Sequence, residues 1–254
     1  QTAGVALATD VAPEETRPRV VALLFVMLLV GMLVSALAFG WLLEDFTQVR
    51  LIRVIQGAAV VALALNVIAL WKQETIAPEK TSASRERESF STAWGRLRQD
   101  PRTMRLLLAL GIGTAGFTMQ DILLEPFGAQ VLGMDVAATT RLTALLAFGT
   151  IVAFAMAARW LNRGTDPHRL AGFGALIGAV AFVIVSIIAA VKSQLLFGAG
   201  VVLIGFGAGL FSVGTLVAAM DLARVAGSGL ALGAWGAGQA TAAGIGIGIG
   251  GAMR

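Results

Sequence analysis

The sequence predicts an all-α polytopic membrane protein, and three observations lead to this fold class. The 254-residue chain is 57% hydrophobic and has a mean hydropathy of +0.83, values that do not fit a soluble domain of this size. Its apolar residues form long stretches, and roughly 20 helical residues suffice to cross a hydrocarbon core about 30 Å thick. Its basic residues concentrate in alternate connections between these stretches. We therefore predict a bundle of about seven transmembrane helices.

The predicted spans follow one another along the chain, each bounded by charged or turn-forming residues. In order they are 18–43, 50–71, 104–130, 136–159, 169–191, 194–220 and 226–253. Most connections between spans are short, so we expect consecutive spans to be antiparallel neighbours. Both ends of the chain read as cuts in a longer bundle, because residues 4–8 resemble the end of a preceding helix.

One long connection divides the predicted bundle. Residues 73–103 are rich in Ser, Thr, Lys, Arg and Glu, a composition that favours a solvated linker. We assign residues 1–72 to the end of an N-terminal half and residues 104–254 to a C-terminal half.

A short amphipathic helix is predicted within the linker, at about 89–100. Phe90, Trp94 and Leu97 recur there at helical spacing, beside basic residues. This helix is expected either on the membrane surface or packed under the bundle.

The distribution of charge predicts the orientation. If the first span begins in the cytoplasm, the connections on that side hold 14 of the 19 Lys and Arg residues. Because cytoplasmic connections are enriched in basic residues, the linker 73–103 is predicted to be cytoplasmic. The net charge of +4 is therefore read as a topology signal, and no nucleic-acid partner is expected.

Composition also limits the chemistry. The chain has no cysteine, which excludes thiol nucleophiles, disulfides and cysteine–metal sites. Its one histidine, His168, lies in the polar segment 162–169 and is expected to be solvated. Neither a multi-histidine metal site nor a Ser-His-Asp triad can be built, so we predict no protein-bound metal and no enzymatic activity.

The candidate site is a cluster of polar residues within the third span. Gln120, Asp121 and Glu125 lie close together, with Asp121 and Glu125 on one helix face because they are four residues apart. A charged side chain in a membrane span costs several kcal/mol unless it is paired or hydrated, and it is a functional candidate by default. The depth of Asp121 is predicted to be in the outer half of the membrane, and Pro126 is expected to end or kink the helix.

Arg141, at the start of the next span, is the expected counter-charge for Glu125 or Asp121. The cluster then either joins two spans structurally or forms a site for a substrate, a proton or a pigment. Further polar or aromatic candidates within spans are Gln56, Asn66, Trp235 and Gln239.

Glycines at small-xxx-small spacing predict close approach of helices in lipid. These are Gly172, Gly174, Gly178, Gly205, Gly209, Gly229 and Gly233. The repeat at 244–251 is read as part of a helix packed tightly on a neighbour, since no strand–turn–helix context supports a dinucleotide loop.

Several motifs resemble the PucC family of the major facilitator superfamily. They are the segments MQDILLEPFG at 119–128, VLGMD at 131–135, LIRVIQG at 51–57 and GLALGAWG at 229–236. The resemblance implies a twelve-helix fold in two six-helix halves, in which this chain holds helices five to eleven and the linker is the central loop. The loop at 158–164 lacks the Asp of the general facilitator motif, which argues against ordinary solute transport.

The resemblance also implies a function. The family is associated with assembly of light-harvesting antenna complexes in the inner, photosynthetic intracytoplasmic membrane of bacteria. The implied ligand is bacteriochlorophyll or a precursor, and the implied partners are the lipid bilayer, antenna polypeptides and the reaction-centre complex. A proton-coupled transporter of a small solute, and a purely structural subunit on an antenna ring, stay open as alternatives.

Overall fold

The computed structural model describes residues 16–42, 47–71, 89–134, 136–191, 193–226 and 228–253, and it confirms the all-α fold class. Within these ranges the secondary structure is helical and no strand is present. The helices are α1 Arg17–Leu42, α2 Gln48–Leu70, α3 Phe90–Gln99, α4 Pro101–Leu132, α5 Val136–Asn162, α6 Pro167–Val191, α7 Gln194–Ala226 and α8 Ser228–Ala252.

Helices occupy every one of the predicted spans. Five of them contain segments that are long and apolar enough to cross a membrane: Gln48–Ala69, Pro101–Leu124, Arg141–Asn162, Pro167–Ile187 and Gln194–Leu222. The predicted spans 18–43 and 226–253 correspond to α1 and α8, which are helical but are not among these five. Several long apolar helices make the chain a multi-pass membrane protein.

The chain divides into two compact units, Leu28–Ser89 on one hand and Gln1–Met27 with Phe90–Arg254 on the other. In the first unit, the Thr47 side chain caps α2 by accepting a hydrogen bond from the Arg50 amide at 3.1 Å. Most of the described apolar side chains along α2 are exposed.

In the larger unit, α7 is the central helix. It packs extensively on both α5 and α6, and α4 pairs mainly with α8. In the most apolar segment of α7, 72% of the residues are buried, against 22% in that of α4. The expectation that consecutive spans are neighbours therefore holds for α6 and α7 but is wrong for α5 and α6, which pack on different faces of α7.

Glycines explain this arrangement. A Cβ at Gly205 would collide with the carbonyl group of Leu146 on α5, so that face of α7 admits another backbone. On the face toward α6, a Cβ at Gly207 would lie 2.8 Å from the Gly174 carbonyl oxygen. Close approach is thus confirmed at Gly174 and Gly205, and a Cβ at Gly178, Gly209 or Gly246 would likewise lie within 3 Å of a neighbouring helix.

Three other glycines do not mark close contacts. A Cβ at Gly172, Gly229 or Gly233 would meet no described atom within 4 Å, so their predicted role in close packing is wrong. The spacing alone does not distinguish a glycine that faces a helix from one that faces open space.

The boundary between α3 and α4 follows from local chemistry. The Asp100 carboxylate accepts hydrogen bonds from the Arg102 and Thr103 amides at 3.2 and 3.1 Å, and Pro101 occupies the first turn of α4. The structure thus has the short helix that was predicted at about 89–100, as Phe90–Gln99.

Pro126 does not end its helix. Instead α4 continues through Pro126 to Leu132, and Gly133 stops it in the left-handed conformation with φ of 63°. Proline removes one intrahelical hydrogen bond, but the following turn is held by packing, because Leu132 is buried with Leu142 and Phe197 in the apolar core.

Candidate functional site

Gln120 is the buried member of the predicted polar cluster. Only 7% of its side chain is exposed, and its Nε2 donates a hydrogen bond to Asp121 Oδ1 at 2.9 Å. Its carbonyl oxygen, Oε1, is buried and has no hydrogen-bond donor among the described atoms. A buried acceptor without a donor costs about 1–3 kcal/mol, so Gln120 Oε1 carries unused hydrogen-bonding capacity.

Gln120 lines a cavity of about 320 Å³ between α4, α6 and α7. Aromatic rings from Phe127 and Phe182 contribute to its walls, and Ser186 adds a hydroxyl that donates to the Phe182 carbonyl at 2.8 Å. The remaining lining residues are Gly116, Met119, Leu123, Leu124, Val185 and Ile204. We call this space the Gln120 cavity. Its volume is at the lower end of the range for drug-sized ligands.

The other members of the cluster are placed differently. Asp121 is exposed on the surface of α4, and Arg141 is exposed near the start of α5. Among the side chains that the structure describes, no ion pair joins Asp121 to Arg141. The side chain of Glu125 is outside the described set, so its predicted pairing with Arg141 stays a prediction. The structure thus brings together Gln120 and Asp121.

The secondary candidates do not line the Gln120 cavity. Gln56 and Asn66 are exposed on α2, where Asn66 Nδ2 donates to the Ala62 carbonyl at 2.7 Å within the same helix. Trp235 on α8 is 8% exposed, and its indole N–H is buried without an acceptor among the described atoms. Gln239 is half-buried one turn further along α8.

Within the described residues, no group of three His, Asp or Glu side chains is close enough to hold a metal ion. A ligand that carries its own metal needs only a single donor from the protein. Gln120 Oε1 is such a donor, and it is an oxygen of the kind that Mg²⁺ prefers.

A second cavity contains residues that the sequence analysis did not select. It has a volume of about 650 Å³, and Arg102, Arg105 and His168 line it together with apolar residues of α4, α6 and α7. We call it the basic cavity. His168 was expected in a loop, but α6 begins at Pro167, so His168 belongs to its first helical turn.

The signal that could have identified this cavity is the spacing of small residues. Ala171, Gly172 and Ala175 follow His168 at helical intervals and leave room on that face of α6. At the nearby start of α4, Asp100 has its pKa lowered, first by the hydrogen bond from the Thr103 hydroxyl and then by that from the Arg102 amide.

Comparison with known proteins finds one matching family model and several curated relatives. The family model described as "PUCC protein" matches residues 1–254. "Protein PucC" of Rhodovulum sulfidophilum is 56% identical over 100% of this chain and 57% of its own length. An "Uncharacterized protein in puhA-bchM intergenic region" of Rhodobacter capsulatus is 54% identical over 100% of this chain and 54% of its own length.

A more distant relative is the "Bacteriochlorophyll synthase 44.5 kDa chain" of Rhodobacter capsulatus, 26% identical over 95% of this chain and 57% of its own length. No solved structure gives a significant match. The chain spans about half the length of the curated relatives it matches.

Proposed function

The chain belongs to the PUCC protein family, and from this premise we propose that it is part of a membrane-embedded assembly factor for bacterial light-harvesting complexes. The proposal assigns it to the photosynthetic intracytoplasmic membrane of its bacterium. Two properties of the chain support the role: a multi-pass helical bundle and the family association described above. A distant relative whose name refers to bacteriochlorophyll synthesis adds a link to pigment.

The single observation that supports pigment binding is the free carbonyl oxygen of buried Gln120. We propose that the Gln120 cavity receives part of a bacteriochlorophyll or a precursor. When bound, the pigment would supply a central magnesium able to accept one oxygen ligand. The side chain of Gln120 offers that oxygen, Asp121 holds the amide in place through Nε2, and Phe127 and Phe182 provide aromatic walls.

The cavity has room for one part of such a ligand. At about 320 Å³ it cannot enclose a whole macrocycle with its tail, so the rest of the pigment would extend along the lipid-facing surface. Antenna polypeptides are the proposed partners on that surface. On α6 it carries the exposed side chains of Phe173, Leu176, Val180, Val183 and Ile187.

A test uses the full-length protein purified from pigmented membranes. We expect Gln120→Leu to retain at least about tenfold less bacteriochlorophyll than the wild type, because it removes an oxygen ligand with little change of volume. Gln239→Leu is the matched control, since Gln239 does not line the cavity. Equal pigment in both variants would overturn the assignment of Gln120, and a pigment-free wild type would overturn pigment binding altogether.

Proton-coupled transport is the second candidate function, and the position of Asp121 within a membrane span favours it. This carboxylate is exposed within a membrane span, where ionisable residues commonly mark ion pathways. Proton-driven uptake that is lost in Asp121→Asn would support transport. Under the assembly proposal, Asp121→Asn still forms antenna complexes, because the Asn amide oxygen can accept the same hydrogen bond from Gln120 Nε2.

A purely structural role on an antenna ring is the remaining alternative. Deletion of the gene distinguishes it from delivery. A change in antenna ring size with a normal supply of pigment would favour the structural role.

A further inference from the structure

We propose that the basic cavity is a binding site for an anionic phospholipid, independent of the pigment function. The phosphate would lie at the mouth, beside Arg102, Arg105 and His168, and an acyl chain would follow the apolar wall inward. Three features of the cavity lead to this inference: its charge, its depth and its composition.

The mouth of the cavity is cationic, because no ion pair neutralises its two arginines within the part of the chain that the structure describes. Arg105 Nε donates to the Pro101 carbonyl at 3.1 Å, and its terminal N–H groups have no partner among the described atoms. No ion pair binds Arg102 within the same set, although Asp100 offsets part of its charge. A phosphate oxygen is a strong partner for such guanidinium groups.

Two acidic residues at the neighbouring helix starts are already engaged. Asp100 caps α4, and Asp166 accepts hydrogen bonds from the His168 and Arg169 amides at 2.8 and 3.1 Å at the start of α6. Because both helix ends are capped, attraction of an anion to this mouth depends on the side chains of Arg102 and Arg105.

Beyond the mouth the cavity is apolar apart from Thr215, whose hydroxyl donates to the Phe211 carbonyl at 2.9 Å. Leu106, Ala109 and Gly113 on α4, with Ala171, Ala175 and Phe211, form the wall. From Arg102 to Gly113 the helix rises about 16 Å, which is close to half the thickness of the hydrocarbon core of a bilayer. The wall is therefore as deep as the acyl region of one leaflet.

The combination of a cationic mouth and an apolar wall favours a lipid over a soluble anion as the ligand. A free phosphate would satisfy the arginines but would leave the apolar wall without an occupant. An anionic phospholipid matches both parts, and basic pockets between transmembrane helices are known sites for such headgroups. The bilayer supplies this ligand at high local concentration.

The first experiment measures lipid retention by the full-length protein. The protein is reconstituted in phosphatidylcholine nanodiscs that contain a small fraction of phosphatidylglycerol, and retained lipid is counted by native mass spectrometry. We expect the wild type to retain phosphatidylglycerol in preference to phosphatidylcholine. Replacing each of Arg102 and Arg105 by Gln should weaken retention roughly fivefold, which corresponds to about 1 kcal/mol per arginine.

Arg163→Gln is the matched control for charge. Arg163 lies in the turn between α5 and α6, near the same end of the bundle, and does not line the cavity. The proposal predicts that this variant retains the lipid as the wild type does. If Arg163→Gln weakens retention as much as Arg105→Gln, general surface charge explains the effect and the proposal is overturned.

A second variant tests the wall without changing the charge. Gly172 lines the cavity, and a Cβ there meets no described atom within 4 Å, so Gly172→Leu should fill the space without disturbing the helices. We expect this variant to lose preferential retention although both arginines are present. Gly233→Leu on α8, which also faces open space but lies elsewhere, is the control and should retain the lipid.

A competition experiment distinguishes a lipid from a soluble anion. Inorganic phosphate at millimolar concentration should not displace phosphatidylglycerol from the wild type. Displacement by phosphate, or retention unchanged in Gly172→Leu, would show an anion site without an acyl groove. A wild type without preferential retention would show that another part of the full-length protein covers the cavity, and either result overturns the proposal.

Discussion

Glycine is the residue on which the packing of the central helix depends. At Gly205 a Cβ would meet the carbonyl of Leu146, and at Gly207 it would meet the backbone of α6. The hydroxyl of Thr150 donates to the carbonyls of Leu146 and Gly205 at 2.9 and 3.1 Å, which adds one hydrogen bond between α5 and α7. Close backbone contact and hydrogen bonding therefore act at the same place.

The close packing at Gly205 and the hydrogen bond from Thr150 should contribute unequally to the stability of the bundle. Gly205→Ala is expected to destabilise the bundle by about 1–3 kcal/mol, because a rigid backbone carbonyl must move. Thr150→Val should cost only about 0.6 kcal/mol, the average for a hydrogen bond between membrane helices. Reversible unfolding of the full-length protein in mixed micelles measures both, and a larger loss in Thr150→Val would contradict this ranking.

Gly233→Ala provides the control for the glycine substitution. Gly233 faces open space within α8, so a methyl group meets no neighbour there. We expect this variant to be as stable as the wild type or up to about 1 kcal/mol more stable, because Ala favours helix over Gly.

At the scale of elements, the start of α4 depends on a carboxylate. The pKa of Asp100 is lowered from 3.8, first because the Thr103 hydroxyl donates to it and then because the Arg102 amide does. A lowered pKa means that the ionised group stabilises the folded state. That contribution is complete above the unfolded-state pKa near 3.8 and is lost as the pH falls through the lower folded-state value.

Amide hydrogen exchange at Arg102 and Thr103 should therefore become faster, relative to its intrinsic rate, as the pH falls below about 3.8. Asp100→Asn keeps a capping oxygen that does not titrate, so the variant should show no such loss of protection. Equal pH dependence in both proteins would assign the effect to another group.

The secondary-structure elements are also the features that the sequence predicts best. Long apolar runs identified the helices, and the helical spacing of Phe90, Trp94 and Leu97 located α3 correctly. Periodicity could not show which helices pair, because all faces of these helices are apolar. Of the two effects predicted for Pro126, an end of the helix does not occur, since tertiary packing beyond the proline holds the next turn together.

For the candidate site, the sequence predicted that Gln120 and Asp121 lie close together, but it did not predict the cavity beside Gln120. An ionisable residue in an apolar span is visible in any sequence, whereas a cavity depends on side chains from several helices. The basic cavity was missed because positively charged residues near span ends usually indicate topology alone. His168 contributed no signal of its own, as it is one polar residue in a polar segment.

At the scale of the whole molecule, the charge distribution predicts that the linker 73–103 is cytoplasmic. The absence of cysteine from this chain makes the test direct. In the full-length protein with any other cysteines replaced, Ser84→Cys should react with a membrane-impermeant thiol reagent only after the cells are opened. Ser193→Cys, between α6 and α7, should react in intact cells, and the reverse pattern would invert the topology.

The pairing of helices in the larger unit has a mechanical consequence. Strong backbone contacts make α5, α6 and α7 one block, while α4 and α8 pair mainly with each other and pack less extensively on α7. The Gln120 cavity and the basic cavity both lie along the seam between α4 and the α6–α7 part of the block. A small rotation of the α4–α8 pair would change the width of both spaces together, so a molecule wedged into one would alter the room left in the other.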